Sequence, residues 1–189
     1  MNVYDFDKTI YDGDSTIDFW KFCLKRYPLA IVALFPTICG IGLYMIGKTS
    51  KVKLKQRFYT FLKYIPDIDC QLSAFWEKNE IKIQNWYVKQ KRDDDLIISA
   101  SPYFLLKPIC DDLGVRLIAS KVEKNTGICA GENCYGQEKV RRLQSEVPDA
   151  NINAFYSDSL SDKPLADLAK RAYLVHGTKI TEWKGNHNA

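Results

Sequence analysis

Asp5-Phe6-Asp7-Lys8-Thr9 lies directly behind an extended apolar start, Asn2-Val3-Tyr4. Two carboxylates at i and i+2 beyond a strand can both reach one reaction centre, because the backbone turns outward there. The first can act as a nucleophile and the second can handle protons, an arrangement suited to phosphoryl transfer. A carboxylate attacking a phosphate meets like charge. It therefore needs a cation held by further carboxylates, a lysine against the developing charge, and hydroxyls or backbone amides on the phosphate oxygens. An ordinary acidic turn needs none of these, so the rest of the chain decides between the two readings.

Each helper has a candidate. Asp95-Leu96-Ile97-Ile98-Ser99-Ala100-Ser101-Pro102 reads as a buried strand followed by a helix start, with Pro102 in the first helical turn. Ser99 then sits at the strand's C-terminal end, and the amides of Ala100 and Ser101 turn toward a bound anion. Ser101 is alternatively a plain helix cap. Gly136 to Leu143 opens an amphipathic helix with Val140 and Leu143 on its apolar face. Lys139 near its start opposes the helix dipole, either as a solvated surface lysine or because a site requires it. Asn153 to Asp162 reads as a strand, a turn and a helix starting near Ser161. Asp158 at the strand end and Asp162 one helical turn later offer hard oxygens to magnesium or support such ligands, although Asp162 is alternatively a first-turn acid.

The periodicity predicts strands near 2–5, 95–100, 115–119, 153–156 and 172–175, with helices near 102–113, 136–147 and 161–170. That alternation predicts an α/β fold, a Rossmann-like parallel sheet covered on both faces, with its ligand outside the strands' carboxyl ends. Lys121 to Asn133 reads as a hairpin or an irregular excursion. From Asp14 to Arg92 the pattern becomes helical, broken by Pro28, Pro36 and Pro66. Asp14 or Ser15 caps a helix over 14–27, and Leu72-Phe75-Trp76-Asn79-Ile83-Trp86-Tyr87 forms a helical stripe over 69–91 that reads as packing rather than a ligand platform. The chain thus divides into a catalytic core, 1–13 and 93–189, and an all-helical cap, 14–92, inserted after the first strand.

The 189 residues suffice for one core plus an inserted subdomain. With 13% aromatic and 26% charged residues the chain folds, and a net charge of +4 is too mild to indicate nucleic-acid binding. Cys23, Cys39, Cys70, Cys110, Cys129 and Cys134 lack paired CxxC spacing and read as buried free thiols in a reducing cytoplasm. His176 and His187 alone, both late in the chain, give a Ser-His or Cys-His mechanism little support. No cleavable signal is expected before the first strand, since its removal would take Asp5 with it.

Pro28 to Gly47 is twenty residues without a charge, flanked by Lys25-Arg26 and by Lys48, Lys51, Lys53, Lys55 and Arg57. Its length suits a transmembrane helix. A single crossing, however, would separate Asp5 from Ser99, Lys139 and Asp158. Pro36, Gly40 and Gly42 favour a bent helix or helical hairpin. The segment is then an interfacial element touching a membrane, an apolar pair packed inside the cap, or a surface for a protein partner.

The order Asp5-Phe6-Asp7-Lys8-Thr9, Ser99, Lys139, Asp158 with Asp162 resembles the four motifs of the haloacid dehalogenase superfamily of aspartate-nucleophile phosphatases. The chain is most similar to the branch that contains the phosphoserine phosphatases, subfamily IB. Within that branch Leu117-Ile118-Ala119-Ser120, Gly136-Gln137-Glu138-Lys139-Val140 and Tyr156-Ser157-Asp158-Ser159 resemble the phosphatidylglycerophosphatase C type. Ser99-Ala100-Ser101 stands where phosphoserine phosphatases have Ser-Gly-Gly, and Ser157 where many members have glycine. The resemblance implies a magnesium-dependent phosphomonoesterase acting on a lipid-linked or amphipathic phosphate; a soluble phosphomonoester and an inactive membrane-associated binding protein are the alternatives. It implies that Asp5 is nucleophile and magnesium ligand, and that Asp7 is acid and base with its carbonyl on the metal. Thr9, Ser99, Ala100 and Ser101 hold the loop and phosphate, Lys139 neutralises charge, Asp158 binds magnesium, and Asp162 binds through water or orients Asp158. The expected location is cytoplasmic, with peripheral membrane contact through the cap.

Overall fold

β1 (Asn2–Tyr4), β2 (Leu96–Pro102), β3 (Arg116–Ser120), β4 (Ala154–Ser157), β5 (Arg171–His176) and β6 (Lys179–Glu182) form one sheet in the order β3-β2-β1-β4-β5-β6. The first five strands are parallel and β6 is antiparallel to β5. The structure, a computed structural model, describes residues 1–183; His187 lies outside them. β1 is buried along its length because helices cover both faces of the sheet. Alternation along the strands sends Val3, Leu96, Ile98 and Phe155 to one face and Tyr4 and Ile97 to the other.

α1 (Ser15–Leu24), α2 (Leu34–Met45), α3 (Lys51–Tyr59), α4 (Ile68–Asn79) and α5 (Asn85–Gln90) all fall between β1 and β2. α6 (Tyr103–Asp112), α7 (Gln137–Glu146) and α8 (Lys163–Ala166) follow later strands. Asp14 caps α1, accepting the Ile17 N–H at 3.0 Å. The stripe over 69–91 packs into the core but does not lie on one helix: α4 ends at Asn79, a 3₁₀ turn over Glu80–Lys82 and extended Ile83 and Gln84 intervene, and α5 starts at Asn85. It packs onto the sheet as well as within the insertion. Tyr87 lies 4.9 Å edge-on to Tyr4, and Trp76 Nε1 donates to the Leu105 carbonyl at 2.7 Å. One continuous core therefore joins the helical insertion to one face of the sheet.

Three expectations change. β2 continues to Pro102, which stands in extended conformation as the N-cap of α6 rather than inside its first turn. The helix placed at 161–170 is a 3₁₀ turn over Leu160–Asp162 followed by the four residues of α8. Leu168 and Ala169 close it with i→i+3 bonds to Leu165 and Ala166, which tighten a helix end and stop it. Cys39 and Cys70 are exposed and Cys129 is half-buried, although all six cysteines are free. β6 has no counterpart in the strand pattern, because it pairs only along an exposed edge.

The uncharged segment forms a 3₁₀ stretch, Pro28–Ala33, and then α2. Gly47 at φ +71° ends α2 in a Schellman turn, with the Lys48 N–H bonded to the Leu43 carbonyl and the Gly47 N–H to the Tyr44 carbonyl. α2 then folds back on α3, and Gly40 makes that approach close, since a Cβ there would lie 2.8 Å from Arg57 Cδ. Inside-out burial follows. The small residues Ala30, Ala33 and Gly40 are buried, whereas Phe35 is 75% exposed and Met45 79%. An apolar pair packed inside the cap does not describe this segment.

The excursion from Lys121 carries one antiparallel bridge, Val122 to Cys129, and turns at Gly127 against the end of α3. A Cβ on Gly127, at φ +73°, would stand 2.3 Å from the Tyr59 carbonyl oxygen, whereas Gly114 at φ +67° faces open space. Gly114→Ala should cost only the left-handed backbone penalty, about 1–2 kcal/mol. Gly127→Ala adds a backbone clash and should lower the thermal midpoint distinctly further, a difference that paired melts would read.

Candidate active site

The carboxyl ends of β1, β2 and β4 converge on a cavity of about 530 Å³, lined on its floor by Asp5, Asp7, Ser99, Lys139, Asp158 and Asp162. β1 lies where the strand order reverses, the place at which an open parallel sheet leaves a crevice. The Asp5 N–H donates to the Tyr156 carbonyl at 2.9 Å and ties the end of β1 to β4. The chain then coils tightly. The Phe6 carbonyl accepts from Thr9, Ile10 and Tyr11, and Lys8 adopts φ +56°, a left-handed conformation rare outside glycine.

That coil positions Asp7. Its Oδ1 accepts the Ser15 N–H at the start of α1 at 2.7 Å, and its Oδ2 accepts the Ser101 hydroxyl in a short contact. Ser101 reaches it because the β2–β3 register shifts between Ser99 and Pro102, pushing two residues out of the ladder. The Ser101 N–H, expected to face an anion, donates instead to Ser99 Oγ at 3.1 Å. Ser101 thus orients Asp7 and does not cap α6. Thr9 is fully buried and accepts the Asp158 N–H at 3.0 Å, joining the β1 and β4 loops.

Lys139 is 1% exposed, and its Nζ bridges Asp5 Oδ1 at 2.8 Å and Asp162 Oδ2 at 2.7 Å. The surface-lysine alternative is thereby removed. Asp162 also accepts the Ser157 hydroxyl at 2.8 Å, so its partners are Lys139 and Ser157 rather than Asp158. Sequence reasoning noticed Ser157 only as a departure from glycine; its hydroxyl explains the departure. It missed Lys55, Thr37 and Ile41, which line the cavity from the insertion and carry no local signal of doing so.

Burial pushes the Asp7 carboxyl up to about 6, helped by nearby Asp14 and opposed by the Ser101 and Ser15 hydrogen bonds. Burial also raises Asp5, against the pull of Lys139. For Lys139 burial alone would lower the pKa, but Asp5 and Asp162 outweigh it and keep the ammonium charged.

The oxygens present fit a hard divalent cation. Asp162 Oδ1 is buried without a partner, and the side chain of Asp158 accepts no hydrogen bond among the described residues. No cluster of three His, Cys, Asp or Glu side chains assembles at metal distance among the described residues. Lys139 already holds Asp5 Oδ1 and Asp162 Oδ2, so the oxygens left for such an ion on the cavity floor are those of Asp158, Asp162 Oδ1 and the second oxygen of Asp5. Magnesium retains several waters and tolerates so few protein ligands.

Comparison with known proteins agrees with this geometry. The family model described as haloacid dehalogenase-like hydrolase matches residues 3–167. Protein CicA of Caulobacter vibrioides is 26% identical, the match covering 88% of this chain and 82% of that protein. A Bordetella pertussis protein of unknown function shares the fold with a TM-score of 0.68 at 19% identity, covering 91% of this chain and 87% of the other. A phosphoserine phosphatase captured as a phospho-aspartyl intermediate analogue shares it with a TM-score of 0.57 at 18% identity, covering 90% and 83%.

Lys139→Met removes the one ammonium between two buried carboxylates and should destabilise the protein by about 3–5 kcal/mol at pH 8. Asp5, already raised by burial, would lose the opposing pull of Lys139 and stand further above its unfolded value, so protonation favours the folded form. The deficit should shrink as pH falls through that raised value. Denaturant melts from pH 8 to pH 5 check this, and a deficit that grows on acidification contradicts it.

Proposed function

Because this chain belongs to the haloacid dehalogenase-like hydrolase family, we propose that it is a magnesium-dependent phosphatase of phosphomonoesters that works through an aspartyl-phosphate on Asp5. The observation that carries the reading is the Lys139 ammonium held between Asp5 and Asp162, with Asp7 fixed two residues beyond the nucleophile. Asp5 attacks phosphorus and the ester oxygen leaves with a proton from Asp7. Asp7 then accepts a proton from the water that cleaves the acyl-phosphate, releasing inorganic phosphate and regenerating both carboxyl groups. Its raised pKa keeps a proton available near neutrality. Magnesium, held by Asp5, Asp158 and the Asp7 carbonyl, would supply charge neutralisation on the phosphoryl oxygens. Lys139 adds a fixed positive charge at the nucleophile, and Ser99 and Ala100 lie beside the phosphate.

We further infer that the substrate is a lipid-linked phosphate, as in the phosphatidylglycerophosphatase C type, and that residues 14–92 act as the substrate-selecting cap. Thr37 and Ile41 of α2 line the cavity, while Phe35, Ile38 and Met45 of the same helix face outward. One helix therefore joins the reaction centre to an apolar surface. Exposed Lys25, Arg26, Lys48, Lys51 and Lys53 flank that surface and would attract anionic headgroups at the cytoplasmic face of a membrane. Residues Pro28–Met45, at mean hydropathy 1.9, are apolar and long enough to span. A single crossing would nevertheless part Asp5 from Lys139, which lie 2.8 Å apart, so we read the segment as an interfacial element rather than a span.

Asp5→Asn should abolish turnover and prevent fluoroberyllate trapping with magnesium, and chelator-treated enzyme should regain activity on adding magnesium. Near-normal activity of the variant, or full activity without any divalent ion, would refute the mechanism.

Phe35→Asp with Met45→Asp should reduce sedimentation with anionic vesicles and hydrolysis of vesicle-borne lipid phosphate, and leave hydrolysis of a soluble aryl phosphate intact. Equal vesicle binding by the variant and the wild type would reject the interfacial assignment.

A further inference from the structure

Lys55 projects from α3 into the catalytic cavity, yet the mechanism does not use it. Its Nζ donates to the Ala100 carbonyl and to Asn133 Oδ1, both at 2.9 Å. Both acceptors are neutral, and an ammonium has three N–H donors, so one N–H and the whole positive charge are uncompensated by hydrogen-bonded anions. Lys51, one turn earlier, also lines the cavity and lies 3.5 Å from the centroid of the Tyr135 ring. Neither lysine has a carboxylate at salt-bridge distance among the described residues. Burial, and then Lys51, hold the Lys55 pKa below its ordinary value against the opposing pull of Asp7 and Asp14.

We propose that Lys55, supported by Lys51, binds a second anionic group of the substrate, the phosphodiester of a lipid headgroup that also carries the scissile phosphate. The inference rests on the phosphatase reading above. Ala100, which holds Lys55, lies in the register shift that brings Ser101 to Asp7, so the ammonium stands next to the loop facing the scissile group. Lys55 comes from the helical insertion, the side on which the leaving group must lie, and Leu54, Phe58 and Ile41 form the apolar wall beside it. A zwitterionic leaving group would bring an ammonium close to two lysines and be repelled. A phosphodiester brings negative charge alone.

The competing role is a mere latch between α3 and Ala100. Dihexanoyl phosphatidylglycerophosphate, hexyl phosphate and phosphoserine, all soluble as single molecules, separate the roles in steady-state assays of wild type, Lys55→Gln and Lys55→Arg. A charge-assisted contact predicts that Lys55→Gln raises the ratio of the KM for the diester-bearing substrate to that for hexyl phosphate by about 10- to 100-fold. Lys55→Arg should restore most of it. An unchanged ratio, no rescue by arginine, or a selective defect confined to phosphoserine overturns the proposal. Wild-type enzyme that cleaves hexyl phosphate but not the diester-bearing substrate overturns it and leaves the phosphatase reading intact; wild-type enzyme that cleaves none of the three overturns both.

Discussion

A buried ammonium with two carboxylates is the contact on which this molecule depends. Lys139 cannot occupy an apolar interior uncharged without wasting its donors, nor charged without anions, and Asp5 and Asp162 supply those anions from the ends of two different strand connections. The triad fixes the start of α7 against the ends of β1 and β4. Gly136 makes the entry to α7 at φ +56°, and Ser157 adds a hydroxyl to Asp162 so that the carboxylate does not rely on the lysine alone. The positive end of α7 and the Lys139 charge then add at one point. This costs helix stability and creates a place where phosphoryl charge is favoured.

The second constraint is the interruption of β2. A regular strand would keep Ala100 and Ser101 in the ladder with β3, and neither would reach the β1 loop. The register shift releases both. Ser101 then bonds Asp7, and Ala100 receives Lys55 and Ser120 through its carbonyl. The same two residues therefore set the orientation of the acid-base group and anchor the helical insertion.

The carboxylates and the lysine of the site were legible because their signals are local. A strand followed by Asp5 and Asp7, a strand followed by Asp158, and a lysine at the wrong end of a helix are each visible within ten residues. The parallel sheet followed from strand and helix alternation. Contacts made only in three dimensions were not legible. Asp162 reads in the sequence as a magnesium ligand through water or as a support for Asp158, and its ion pair with Lys139 from a different helix has no local signal. Ser101 looked like an anion-facing amide, or alternatively a helix cap, because the bulge that redirects it has no sequence mark. Lys55 is one of several lysines on α3, and only the fold distinguishes it from exposed Lys53. Hydropathy likewise located residues 28–47 without saying which side faces the protein.

That side carries a physical consequence. Helices in water bury their large apolar side chains, and the packing of α2 does the reverse, using Gly40 to fit closely on α3 while Phe35, Ile38 and Met45 remain outside. Each of those side chains gains about 1.5–3 kcal/mol when it leaves water, so the exposed face stores a driving force for association. Basic residues at both ends give the association a direction, toward negative charge. A lipid surface satisfies both conditions without requiring the backbone of α2 to give up any hydrogen bond, since a helix meets its own polar groups. In the proposed bound state α2 presents Phe35, Ile38 and Met45 to the bilayer, while Thr37 and Ile41 of the same helix line the cavity. A phosphorylated headgroup can then reach Asp5 while its acyl chains remain in apolar surroundings.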